Sequence, residues 1–127
     1  MGLLGEVTNA EVEAALKPQA YAVCPDGFEG DYLVDEVQDL QSGKAGDYYT
    51  AELVFTNDEG RKVRVFHTVS LSPKSRPFVI KFLKNVGLDP AQWEGKDELK
   101  GLVGRAVLKQ VKKPNGDPKN EVAYFKN

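Results

Sequence analysis

One cysteine, one histidine, one methionine and one tryptophan in 127 residues restrict the chemistry before any pattern is read. A lone Cys24 closes no intramolecular disulfide, which fits a reducing cytosol, and it has no CxxC partner with which to begin a zinc site. His67 cannot gather a metal cluster alone. The glycines form neither GxGxxG nor a P-loop. No apolar run approaches the ~20 residues that span a bilayer. The start, Met1 to Glu6, lacks the basic leader and apolar stretch of a secretion signal, and Glu6 stands where a myristoylation pattern wants Ser or Thr. The expectation is a cytoplasmic protein with no enzyme activity, cofactor, metal or membrane attachment. Its length is near that of one domain and suffices to bury roughly two-thirds of the unfolded surface.

Cations are scarce in one half. Residues 1–60 hold 2 Lys/Arg against 13 Asp/Glu, and residues 61–127 hold 15 against 6, so balances of −11 and +9 sum to the formal −2. The switch falls inside an apparent hairpin, between Glu52–Phe55 and Arg61–Phe66, and a hairpin is no domain boundary. Such sorting suits a protein that meets a polyanion, and attraction between the two halves of the chain is the competing explanation.

The order of elements is legible. Thr8 and Glu11 read as a capping box for a short helix to about Leu16, before Pro18. Tyr32–Leu40 is a first strand whose broken alternation at Leu33, Val34, Val37 and Leu40 calls for a bulge near Asp35-Glu36. Gln41–Gly46 reads as a loop. Tyr48–Phe55 is the second strand, with Tyr49, Ala51, Leu53 and Phe55 on one face. After the turn Asn57–Gly60, Lys62–Leu71 is the third, with Val63, Val65, His67, Val69 and Leu71 inward. Ser75 caps a helix with Pro77 in its first turn, an apolar stripe of Phe78, Val79, Phe82, Leu83 and Val86, and Gly87 as its stop. Arg105–Val111 and Glu121–Phe125 are the last strands. The order β-β-β-α-β-β is that of the OB-fold, an all-β, five-stranded Greek-key barrel. It is expected over residues 30–127, with residues 1–29 as an N-terminal segment packed on it.

His67 reads as a buried, hydrogen-bonded core imidazole. The carboxylates Asp31, Asp35, Glu36 and Asp39 read as the solvent face of a strand, and Trp93 as packed against the barrel. The third strand carries the candidate site. Lys62, Arg64, Phe66 and Thr68 share its outer face, with Tyr48, Thr50 and Glu52 opposite them. Cations that follow phosphates and aromatics that stack bases make a surface for single-stranded nucleic acid. Lys44 in the first loop and Lys112, Lys113 and Lys119 around the last hairpin extend the track, and these are the ligand-binding elements of an OB-fold. Phe66 could instead cover a helix or a dimer partner, and Glu52 would repel phosphate. A polypeptide-docking module is the alternative reading.

Several segments resemble a family of phage-encoded OB-fold proteins regarded as single-stranded DNA-binding proteins. They are Gly30-Asp31-Tyr32, Ser42-Gly43-Lys44 with Tyr48, Val65 to Leu71, Phe82 to Leu88, Leu102-Val103-Gly104-Arg105 and Asn120-Glu121-Val122. The resemblance runs from about Gly30 to Tyr124. It implies a protein that coats single-stranded DNA during phage replication or recombination in the bacterial host cytoplasm, while the residues themselves leave the choice between DNA and RNA open. Replication or recombination proteins are the implied partners, and a homodimer stays open. The chain ends Ala123 to Asn127 without the acidic tail of many such proteins, which would leave recruitment to Glu6, Glu11 and Glu13.

Overall fold

The computed structural model describes residues 23–127 together with Leu3, Gly5, Glu6, Thr8 and Asn9. All but the first two residues of the helix expected over 8–16 lie outside the described residues.

Six strands make one antiparallel sheet: β1 (Glu29–Val37), β2 (Gln41–Gly43), β3 (Gly46–Thr56), β4 (Lys62–Ser70), β5 (Val103–Lys112) and β6 (Pro118–Phe125). One helix, α1 (Arg76–Asn85), connects β4 to β5. The strands lie in the order β4-β3-β1-β5-β6, and β2 continues the β1 edge of β3. The two outer strands, β4 and β6, approach each other without a hydrogen-bonded ladder, so the sheet is not closed.

Alternation sets what is buried. Ala51, Leu53 and Phe55 on β3 and Val63, Val65 and Val69 on β4 point into the core, where Tyr32, Val34, Val37, Phe82, Leu83, Leu99, Ala106 and Leu108 meet them. The bulge in the first strand is where the sequence asks for it: the β1–β3 register slips between Val34 and Glu36, which keeps both Val34 and Val37 inside. That strand runs over 29–37 rather than 32–40, so Leu40 is outside it and exposed. The expected loop over 41–46 contains β2. A tight hairpin forms because Gly46 takes φ +125°, Ser42 Oγ donates to Asp47 Oδ1 (2.9 Å) and Tyr48 Oη donates to Gln41 Oε1 (2.9 Å).

The helix differs at its ends. Ser75 gives no side-chain cap and instead accepts a hydrogen bond from Ser72 Oγ at 3.2 Å. Its buried face is Val79, Phe82, Leu83 and Val86, while Phe78 is 66% exposed, and Leu71 has left the β4 ladder and is exposed. Gly87 stops it as expected: at φ +85° it lets Leu88 N donate to Leu83 O at 2.9 Å, the αL termination that favours glycine.

Below α1 an aromatic cluster fills the core. Phe82 lies 5.2 Å from Phe125 and 5.3 Å from His67, and Tyr32 is 5.4 Å from Phe55. His67 has its ring edge-on to Phe125, but its nitrogens make no hydrogen bond within the described residues, contrary to the expectation of a bonded imidazole. Burial pushes its pKa down to about 4, so it is neutral. Trp93 packs against the core as expected, edge-on to Tyr49 at 6.2 Å, with Nε1 donating to Gly95 O at 2.7 Å.

Candidate nucleic-acid interface

The outer face of the β3–β4 ladder is fixed by its register: Tyr48 opposite Ser70, Thr50 opposite Thr68, Glu52 opposite Phe66, Val54 opposite Arg64 and Thr56 opposite Lys62. Phe66 is 56% exposed, an unusual state for a phenylalanine in mid-strand. Around it the tertiary fold assembles what sequence separates. Arg64, Phe66, Lys113, Lys119 and Glu121 line one hollow of ≈ 160 Å³ in the gap between β4 and the β5–β6 hairpin. A second hollow of ≈ 230 Å³ is lined by Leu33, Asp35, Val54, Lys62 and Arg64. Three candidates from β4 and two from the last hairpin therefore share one end of the sheet.

The remaining candidates do not join them. Tyr48 lies four residues along β3 from Glu52, the partner of Phe66, which is roughly 13 Å at strand spacing. The two rings are separate stacking points rather than one platform. Thr50 and Thr68 face each other between them, and Lys44 is exposed at the β2–β3 turn. Lys112 and Lys113 are exposed at the β5–β6 turn.

Electrostatics sort the cations. Arg64 Nη1 donates to Asp35 Oδ2 at 2.9 Å and lies 3.4 Å from Glu52 Oε1, and these carboxylates, Asp35 first, raise its pKa further. It is the one residue of the set committed to two internal carboxylates. Lys119 lies 3.4 Å from Glu121 Oε1. Lys44, Lys62, Lys112 and Lys113 make no ion pair among the described residues.

Internal ion pairs account for part of the charge sorting. Seven of nine ion pairs among the described residues join a cation after residue 60 to a carboxylate before it. Asp31 pairs with Arg105 (3.0 Å), Glu36 with Lys100 (3.1 Å), and Asp39 with Lys96. The carboxylates read as a solvent face are thus ion-paired, and internal attraction accounts for part of an asymmetry that suggested a polyanion. Among the described residues no His, Cys, Asp or Glu cluster could hold a metal ion, and no helix is long and apolar enough to cross a membrane.

Sequence reasoning missed the outer-face apolar residues. Leu33 and Val103 are neighbours across β1 and β5 and both are exposed, Val103 at 64%. Leu33 was visible as a break in alternation, whereas nothing in the pattern marks Val103.

No protein-family model matches the chain, and no curated protein matches it in sequence.

Proposed function

We propose that the protein binds single-stranded DNA, with little sequence preference, across the outer face of β3 and β4 and the hollow beside the β5–β6 turn. The observation that carries this reading is Phe66, exposed in mid-strand at a hollow it shares with Lys113 and Lys119. A ring open to solvent offers a stacking surface that tolerates any base, and flexible lysines around it neutralise phosphates. Lys44, Lys62, Lys112 and Lys113 are the phosphate contacts, Phe66 and Tyr48 the stacking residues, and Arg64 and Lys119 contribute less because carboxylates already hold them. An OB-fold is supported by the strand order, in which β4 and β6 face each other across a gap in a β-β-β-α-β-β sheet once β2 is set aside. A binding protein that coats single strands in phage replication or recombination is the role that follows from the resemblance.

Exposed Leu33 and Val103, with half-buried Val54 on the same sheet, favour a second reading, a polypeptide docked on that face. The two separate in an anisotropy titration with labelled poly-thymidine, using duplex of equal length as control. Saturable single-strand binding with a weak duplex response supports the first reading. No binding at low salt overturns it and leaves the polypeptide face.

A further inference from the structure

A third concave surface lies at the other end of β4. Ser70, Leu71, Ser72, Val79, Ile80, Leu83, Pro90, Ala91 and Trp93 enclose a cavity of ≈ 520 Å³, with Arg76 as its single charged lining residue. Its size is within the about 300–1,000 Å³ of ligand clefts, and its make-up, aliphatic walls with a few polar groups at the mouth, is theirs too. Four residues of β4 separate Ser70 from Phe66, roughly 13 Å, so this cavity is distinct from the hollow at Phe66.

The helix side of the cavity is positive and unpaired, while Asp89 and Glu94 flank Pro90 and Trp93 on the opposite side. Residues 60–88 hold seven Lys/Arg and no Asp or Glu. Of these, Lys74, Arg76, Lys81 and Lys84 lie on α1 or the turn of 3-10 helix leading into it, and none makes an ion pair among the described residues. Elsewhere in the molecule carboxylates meet Arg64, Lys96, Lys100, Arg105 and Lys126. Helical spacing places Arg76, Ile80 and Lys84 along one line, with Val79 and Leu83 beside it, so cations border an apolar trough. A nucleic acid would want an open aromatic face. Here the only ring, Trp93, is half-buried and edge-on to Tyr49, and the walls are aliphatic.

We infer that this trough is a docking site for an acidic peptide segment of a partner protein. A large apolar side chain of that segment enters the cavity against Leu83 and Trp93. Flanking carboxylates meet Arg76, Lys84 and Lys74. The inference does not depend on nucleic-acid binding at the β3–β4 face.

Trp93 reports on it directly. The full chain is titrated with a short peptide of Asp and Glu residues around a Leu-Phe pair, followed by tryptophan emission. Controls are the same peptide with Ser-Ser at the centre and one with Lys for every acid. The expected result is a saturable change in Trp93 emission for the first peptide alone, weakened about tenfold or more by Arg76→Glu, an exposed position whose change leaves the fold intact by circular dichroism. Lys62→Ala with Lys113→Ala should leave peptide binding unchanged while weakening poly-thymidine. No saturable response to the acidic peptide overturns the inference. So does equal binding of the Ser-Ser peptide, which would mean charge alone, or a trough that answers only to poly-thymidine and loses it in Arg76→Glu. Peptide binding in a protein that fails to bind poly-thymidine would sink the nucleic-acid reading and leave this one standing.

Discussion

At the scale of single residues, exposure and pairing decide which side chains serve a ligand. Phe66→Ala should weaken single-strand binding by ~1–3 kcal/mol, the usual worth of one base–aromatic stack, with melting temperature nearly unchanged because the ring is outside the core. A large fall in melting temperature with unchanged affinity would make Phe66 a packing residue. Glu52 and Asp35 hold Arg64, and a phosphate would have to compete with them for it. Glu52→Gln should therefore tighten binding at low salt, and an equal or weaker affinity would show that Arg64 stays with Asp35 regardless. The face of β4 was legible because alternation is strict there, and the register confirms Lys62, Arg64, Phe66 and Thr68 on its outer side. The engagement of Arg64 was not legible: Asp35 lies 29 residues away and arrives beside it only through the β1 bulge and β1–β3 pairing.

Elements are held together by a few long-range polar contacts that explain why certain short segments read as they do. Asn85, at the end of α1, accepts from Tyr32 Oη (2.6 Å) and Arg105 N (2.9 Å) and donates to Lys126 O (3.1 Å), tying helix, β1, β5 and the last residues together. Gly104 lies beneath this knot, where a Cβ would collide with Asn85 Oδ1 and the Tyr32 hydroxyl. Asn120 is the counterpart on β6. Its Oδ1 accepts from Cys24 N at 2.7 Å and its Nδ2 donates to Cys24 O at 2.9 Å, fixing the approach to β1. Asn120→Ala leaves the buried Cys24 N–H unpaired, with Cys24 O held only by Gln110 Nε2 at 3.3 Å, and should cost about 1–3 kcal/mol, read by urea unfolding. A loss below about 0.5 kcal/mol would mean that water replaces the amide. The sequence marked Asn85, Gly104 and Asn120 as parts of recognisable segments, yet their roles depend on contacts 20 to 96 residues distant, which no local pattern encodes.

For the whole molecule, titration of the interior sets the pH range of stability. His67 is neutral in the fold at a pKa of about 4, against about 6.5 in an unfolded chain. The unfolded state binds the extra proton, so stability is intact above pH ~6.5 and falls as pH drops toward 4, by roughly 3 kcal/mol from this group. Urea midpoints across that range should fall with acid in the native protein and fall distinctly less in His67→Gln. An equal fall in both would assign the acid sensitivity to the carboxylates that pair with Arg64, Arg105 and Lys96. Charge sorting is the other whole-molecule property. It was plain in the sequence, but its meaning divides between internal ion pairs and the free cations left at two ends of β4, and only the tertiary arrangement separates those shares.

If unpaired lysines and an exposed Phe66 meet a phosphate backbone, poly-thymidine binding must depend steeply on salt. Lys44, Lys62, Lys112 and Lys113 amount to about four phosphates, which predicts a slope of log K against log salt near −3 at ~0.7 per phosphate. Lys62→Ala should flatten that slope by nearly one unit and Arg64→Ala by clearly less. Affinity that hardly changes between low and moderate salt, or a slope that Lys62→Ala leaves untouched, would contradict the account.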